Sequence, residues 1–301
     1  MLAVSIDLDE LHLYRSIHGL PSATKAARVV YEVAVPRALG FARSLGIPLT
    51  FFAVGADLEQ QGGADVLVDA RRAGHAVESH SLTHPYDLVR LPAADIEREV
   101  AGSFDAIERA VGERPRGFRS PGYTTSDAVF DAVERAGAAF DSSILPSPPY
   151  FAAKLAVMGA MAMVGRRSAS VATGVEATLA PTRPYRPGRP YWREGARSIV
   201  ELPIQVTRRL RVPVIGTLLG RAGERGARAL VRGCGDTPLL NVELHGIDFL
   251  DRADVESDVR GLPELKVGLE ARLAAFRAAI VESGREAVTL GAAAARLAST
   301  T

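Results

Sequence analysis

The chain has 301 residues, of which 36 are Lys or Arg and 35 are Asp or Glu, with a single cysteine, Cys234. The near-zero net charge provides no global field for nucleic acid, and one cysteine excludes both an intramolecular disulfide framework and a thiolate-rich zinc site. The length suits one α/β barrel, so residues 1–301 are read as a single domain.

Residues 2–6 form a short apolar run with no basic lead, ended by Asp7; this is read as a buried strand rather than a secretion signal. That reading, with the lone cysteine, places the protein in the cytoplasm, with peripheral contact at the inner membrane leaflet as an option. Residues 24–45 carry apolar side chains at helical spacing and stop at Gly46, and 49–54 is a β-rich run, which completes one βαβ unit. A helix over 65–73, a strand over 75–78 and a long amphipathic helix over 92–111 follow. A short strand closes at Phe118, 126–136 is helical, and 139–141 is strand-like. Such alternation is the mark of a parallel sheet.

The regular pattern breaks over residues 145–197, where Pro146, Pro148, Pro149, Pro181, Pro184, Pro187 and Pro190 exclude continuous helix or central strand. This segment is read as an insertion or lid over a barrel mouth, with one apolar helix near 152–164. Its basic neighbours Arg166, Arg167, Arg183, Arg186, Arg189 and Arg193 leave two readings open: a packed lid with a solvated loop, or an interfacial element at a lipid surface. Strand character returns over 198–204 and 238–244, and 263–283 reads as an amphipathic helix.

The residues that carry chemistry fall at the ends of these strands. Asp7 and Asp9 lie two apart, so on an extended strand they face one side. His80 and His84 lie four apart, within reach of one metal ion on a helical turn. No Glu follows His80, so the base of a helical zinc-protease motif is missing. Arg119, Pro121, Tyr123, Asp141 and His245 complete the set. Singly, each has a plain reading as a cap, a turn or a structural strand end; together they supply ligands, a base, an oxyanion partner and an acid.

In order, Asp7-Leu8-Asp9, His80-Ser81-Leu82-Thr83-His84, Arg119-Ser120-Pro121-Gly122-Tyr123, Asp141-Ser142-Ser143 and Leu244-His245 resemble the five motifs of the NodB-homology polysaccharide deacetylases, carbohydrate esterase family four. The resemblance implies a distorted (β/α) barrel and a divalent metal, commonly zinc, with cobalt, nickel or manganese as substitutes. It implies that Asp9, His80 and His84 bind the metal and that Asp7 is the general base, oriented by Arg119. Pro121 and the backbone N–H of Tyr123 would bind substrate and oxyanion, and Asp141 would orient His245, the acid for the leaving amine.

Two departures bear on the substrate. Leu8 separates the acids of the first motif and Glu10 follows them, where polysaccharide-active members have adjacent Asp residues followed by Gly. Ile144 and Leu145 stand near the place of the usual Trp of the fourth motif. The Asp-x-Asp form resembles a branch with lipid-linked sugar deformylases, some peptidoglycan deacetylase relatives and metal-independent allantoinase-like amidohydrolases. The expected activity is therefore hydrolysis of an N-acetyl or N-formyl group on an amino sugar, free, polymeric or lipid-linked. The alternatives are a metal-independent amidohydrolase on a small ureide or cyclic imide, and a non-catalytic carbohydrate-binding relative.

Overall fold

The structure, a computed structural model, describes residues 1–21, 28–59, 63–163, 165–166, 168–171 and 174–298. Seven strands, β1 (Leu2–Asp7), β2 (Thr50–Ala53), β3 (Ala76–Ser79), β4 (Gly117–Phe118), β5 (Phe140–Asp141), β6 (Val200–Glu201) and β7 (Leu240–His245), form one sheet in the order β6-β5-β4-β3-β2-β1-β7. Every pairing is parallel. Helices cover a parallel sheet on its outer face, so its strands read as near-continuous apolar runs; all six residues of β1 and all four of β2 are buried.

The sheet curls into a distorted (β/α) barrel that strand pairing does not close between β6 and β7. The chain after β6 spans that gap: Gln205 N–H donates to the Asn241 carbonyl at 2.9 Å, and the Asn241 side-chain amide donates to the carbonyls of Leu202 and Pro203. Ile215 bridges Glu243 beside them.

The described helices are α1 (Leu11–Ile17), α2 (Val35–Leu45), α3 (Gly55–Leu58), α4 (Gly63–Arg72), α5 (Ala93–Val111), α6 (Asp127–Arg135), α7 (Pro148–Met163), α8 (Gly216–Cys234), α9 (Leu269–Ser283) and α10 (Leu290–Ala298). Their ends follow local chemistry. Ser126 Oγ caps α6 by accepting from Val129 N–H, and Gly46 and Gly112 close α2 and α5 at φ of 65° and 79°.

Two expected helices are shorter than their sequence patterns. Residues 24–27 of the 24–45 expectation lie outside the described residues. The remainder divides into a π-helical turn, Val30–Ala34, and α2, whose start is set by Pro36. The 263–283 expectation begins with a separate turn, Pro263–Leu265, and α9 starts only after Gly268. Four further helices, α1, α3, α8 and α10, have no counterpart among the elements expected from the sequence.

Candidate active site

Parallel register builds one wall of the site. Ser5 of β1 lies beside Glu243 of β7 and Asp7 beside His245, so two pairs of alternate residues face the barrel interior together. Leu8 points the other way and is fully buried in the apolar core, which leaves Asp9 to return to the interior just past the strand. Glu10, the second departure in this motif, is structural. Its carboxylate accepts from Leu11 N–H at the start of α1 and from Val30 and Tyr31 N–H at the π-helical turn.

His80 and His84 lie on the loop after β3, not on a helix. Ser81 and His84 adopt positive φ (67° and 59°), and Ser81 Oγ accepts from His84 N–H at 3.0 Å, which turns both imidazoles inward. Non-glycine residues in this region carry strain that the surroundings must hold. His80 Nδ1 lies 2.7 Å from the Arg119 carbonyl, the arrangement that leaves Nε2 as its free lone pair.

Asp9, His80 and His84 form one cluster of candidate ligand atoms within 4.8 Å of one another. Both His80 Nε2 and His84 Nε2 lie 3.3 Å from Asp9 Oδ1. Burial pushes the Asp9 carboxyl upward, but His84 and His80 hold it well below the usual carboxylate range. Asp9 Oδ1 and both ring nitrogens of His84 are buried and make no hydrogen bond. Orphaned atoms of the His84 imidazole and the Asp9 carboxylate, with His80 Nε2 beside them, fit a divalent cation such as Zn2+, with coordination positions left over.

Arg119 organises the opposite side. It is fully buried, donating from Nη1 to Asp7 Oδ1 at 2.6 Å, from Nη2 to Ser5 Oγ and Ser142 Oγ, and from Nε to the Ser142 carbonyl. Its guanidinium stacks 4.1 Å over the Phe52 ring. Asp7 is thereby fixed with Oδ2 only 3.7 Å from His80 Nε2.

The expected Asp141–His245 pair does not form. His245 Nδ1 lies 2.9 Å from Glu243 Oε1, on the same strand two residues earlier. Burial lowers the His245 pKa, yet Glu243, with Asp7 and Asp9, outweighs it and holds the imidazole well above its ordinary value. Asp141 ends β5, one residue before Ser142, whose Oγ accepts from the Asn241 side chain of β7 at 3.0 Å. Asp141 itself accepts from Ser143 N–H and Oγ–H. Burial and the neighbouring Asp141 push the Glu201 carboxyl well above the carboxylate range.

Tyr123 closes the mouth at φ 58°, its ring edge-on to those of His245 and Tyr150 at 6.4 and 5.5 Å. Pro121 starts this turn and its carbonyl accepts from Thr124. A cavity of about 530 Å³ contains Asp7, Asp9, His80, Tyr123, Glu243 and His245. Across it, α7 presents Tyr150, Ala153, Lys154, Val157, Met158 and Met161, a stripe at helical spacing. Lys154 is the only charged residue of α7; its Nζ donates to the Gly122 carbonyl at 3.3 Å, and burial lowers its pKa to about 8. Leu145 packs with Ile215, Tyr123, Tyr150 and Leu218, which gives an apolar wall where the fourth motif lacks Trp.

Similar architectures are known. A protein from Mycobacterium smegmatis, named as a polysaccharide deacetylase on a provisional basis, superimposes with TM-score 0.61 at 18% identity, over 99% of this chain and 90% of that one. Puue allantoinase gives TM-score 0.58 at 18% identity with the same coverages. The Xyl-CE4 domain of a multidomain xylanase from the hindgut metagenome of Trinervitermes trinervoides gives 0.51 at 13%, again over 99% and 90%. At these identities the likeness is one of fold, and it is the distorted (β/α) barrel that the motifs imply. No curated protein sequence matches the chain. Residues 29–140, the stretch that holds His80, His84, Arg119 and Tyr123, match the model of the polysaccharide deacetylase family.

Proposed function

We propose that the protein is a metal-dependent hydrolase that removes an N-acetyl or N-formyl group from an amino sugar. The observation that carries this reading is the division of the cavity wall into two chemically distinct halves: an Asp9–His80–His84 cluster with orphaned lone pairs, and proton-transfer groups Asp7 and His245, each fixed by its own partner. A divalent ion held by Asp9, His80 and His84 would supply Lewis-acid polarisation of the acyl carbonyl and acidify water. Asp7, oriented by Arg119, takes the proton of the attacking water as its oxygen adds to the acyl carbon. His245, held protonated by Glu243, gives its proton to the nitrogen as the C–N bond breaks, so the amine leaves neutral. A carbohydrate-binding protein would need neither half of this proton inventory.

Turnover of a panel of N-acetylated and N-formylated amino sugars, with and without chelator, tests the reading. Amine release that chelator abolishes and added zinc restores supports it. Chelator-resistant hydrolysis of a ureide, with no amino sugar turned over, would instead favour the allantoinase-like alternative.

A lipid-linked substrate is a finer reading, favoured by the distribution of exposed apolar side chains. Among the described residues, the exposed large hydrophobics are Leu155, Val157 and Met163 on α7, Val175 and Leu179 on the turn packed against it, Leu210, and the distant Val281. Leu210 joins the first group because Arg211 donates to the Ala180 carbonyl and Ser147 Oγ donates to the Arg211 carbonyl. Several arginines of the insertion are engaged within the protein, Arg183 with Glu194 and Arg189 with Asp131, and Arg167 lies outside the described residues. The α7 side of the mouth therefore presents mainly apolar surface, suited to a lipid-anchored sugar approached from a membrane face. No described helix is long and apolar enough to cross a membrane. Sedimentation with neutral and anionic liposomes checks this; no binding to either would remove it.

A further inference from the structure

The cavity has a second polar corner that the acyl chemistry does not use. Tyr14 of α1 and His18, its C-terminal cap, lie four residues apart on one helical face, and Glu264 faces the same cavity from the turn Pro263–Leu265. Tyr14 Oη, His18 Nε2 and Glu264 Oε2 are all buried, and none has a hydrogen-bond partner among the described residues. Tyr14 is only 4% exposed, and its ring meets that of His245 edge-on with centroids 6.3 Å apart, so the corner adjoins the acid side of the site. Burial lowers the His18 pKa despite the opposing charge of Glu264, which keeps that ring a neutral donor or acceptor. Buried polar groups without partners are costly and uncommon, and three converging on one cavity mark a place built for a polar ligand.

We infer that Tyr14, His18 and Glu264 form a hydroxyl-binding subsite that holds two neighbouring ring hydroxyls of the substrate sugar. This rests on the amino-sugar reading above. A vicinal diol satisfies the corner in a way other ligands do not. One hydroxyl donates to the Glu264 carboxylate and accepts from Tyr14 Oη–H, and the other exchanges a hydrogen bond with His18 Nε2. An anionic group would be repelled by Glu264, and an ammonium, which can only donate, would leave the Tyr14 hydroxyl donor unused. A carboxylate and a phenol against a neutral diol also give stereochemical discrimination, because a site built to pair a hydroxyl rejects the analogue that lacks it.

Ligand-observed NMR titration with methyl pyranosides that carry no acyl group tests the subsite independently of turnover. The proteins compared are wild type, Glu264→Gln and Tyr14→Phe, each checked by thermal melting. The wild type is expected to bind a pyranoside with a free vicinal diol about 10-fold or more tightly than its monodeoxy analogue, and each variant to lose that preference. Tyr14→Phe keeps the ring and its packing, so it remains informative if Glu264→Gln folds poorly. Equal affinity for diol and deoxy ligands in the wild type, or an undiminished preference in both variants, would overturn the subsite. Failure of the hydrolase reading would appear instead as absent amine release in the substrate panel.

Discussion

At the scale of single residues, His245 takes its character from Glu243, because alternate positions of β7 place both side chains in the barrel and Glu243 Oε1 sits 2.9 Å from His245 Nδ1. A general acid works while protonated, so its activity is present below its pKa and lost as pH rises through it. Burial alone would lower the His245 pKa, and Glu243 is the foremost cause of its rise. Glu243→Gln is therefore expected to shift the alkaline limb of the pH–rate profile to lower pH and to cut turnover about 10- to 100-fold at pH 8. Asp141→Asn should leave that limb in place; pH profiles of the two variants check the assignment, and the reverse pattern would refute it. The partner is legible in principle, since Asn241, Glu243 and His245 make a polar alternation on an otherwise apolar strand. What the sequence does not supply is side-chain pairing, in which Asp141 is turned to Ser143 and Glu201 rather than to His245. Leu8 and Glu10 likewise resolve only in three dimensions, as a core side chain and a carboxylate that joins the start of α1 to the π-helical turn.

At the scale of elements, the longer strands and most amphipathic helices with ordinary punctuation are readable, whereas the glycine-rich α8 is not. Helix α8 contains Gly216, Gly220, Gly223, Gly226 and Gly233, a composition that reads as loop. Packing explains part of it: a Cβ at Gly220 would come within 2.9 Å of Arg272 Cγ on the neighbouring α9. Gly117 on β4 shows the same logic, because Phe140 lies directly opposite on β5 and its ring would meet a Cβ at 2.1 to 2.5 Å. Gly117→Ala should lower unfolding free energy by about 1–3 kcal/mol in denaturant titration, the usual cost of overpacking a core. Helix α7 makes a different prediction through Lys154. Its folded pKa, about 8, lies below the ordinary lysine value of 10.5, so the unfolded chain binds more protons between those values and this residue's contribution to stability improves as pH rises across that window. Lys154→Met should be more stable than wild type at pH 7, with the difference shrinking between pH 8 and 10.5. Urea unfolding at both ends of the range measures it; a difference that grows with pH would contradict the burial of that ammonium.

At the scale of the whole molecule, the barrel brings segments from both ends of the chain to one rim: Asp7 and Asp9 from the first strand, the histidine pair from the loop after β3, Arg119 from beyond β4, and His245 from the last strand. Their scattered order is why the motifs look weak singly, and their shared position at strand C-terminal ends is why, taken together, they point to one site. The lid is legible as a proline-rich interruption, but its contribution of an apolar stripe and one half-buried lysine to the cavity depends on how α7 crosses the mouth. The proposed function divides labour within the site, with Asp9, His80 and His84 holding a metal and Asp7 moving a proton. The most direct test is metal content, by mass spectrometry of protein reconstituted with zinc, alongside amine release for Asp7→Asn and His80→Ala. Asp7→Asn should keep near-stoichiometric metal and lose turnover by about 100-fold or more, while His80→Ala should lose both; equal loss of metal in the two variants would contradict the account.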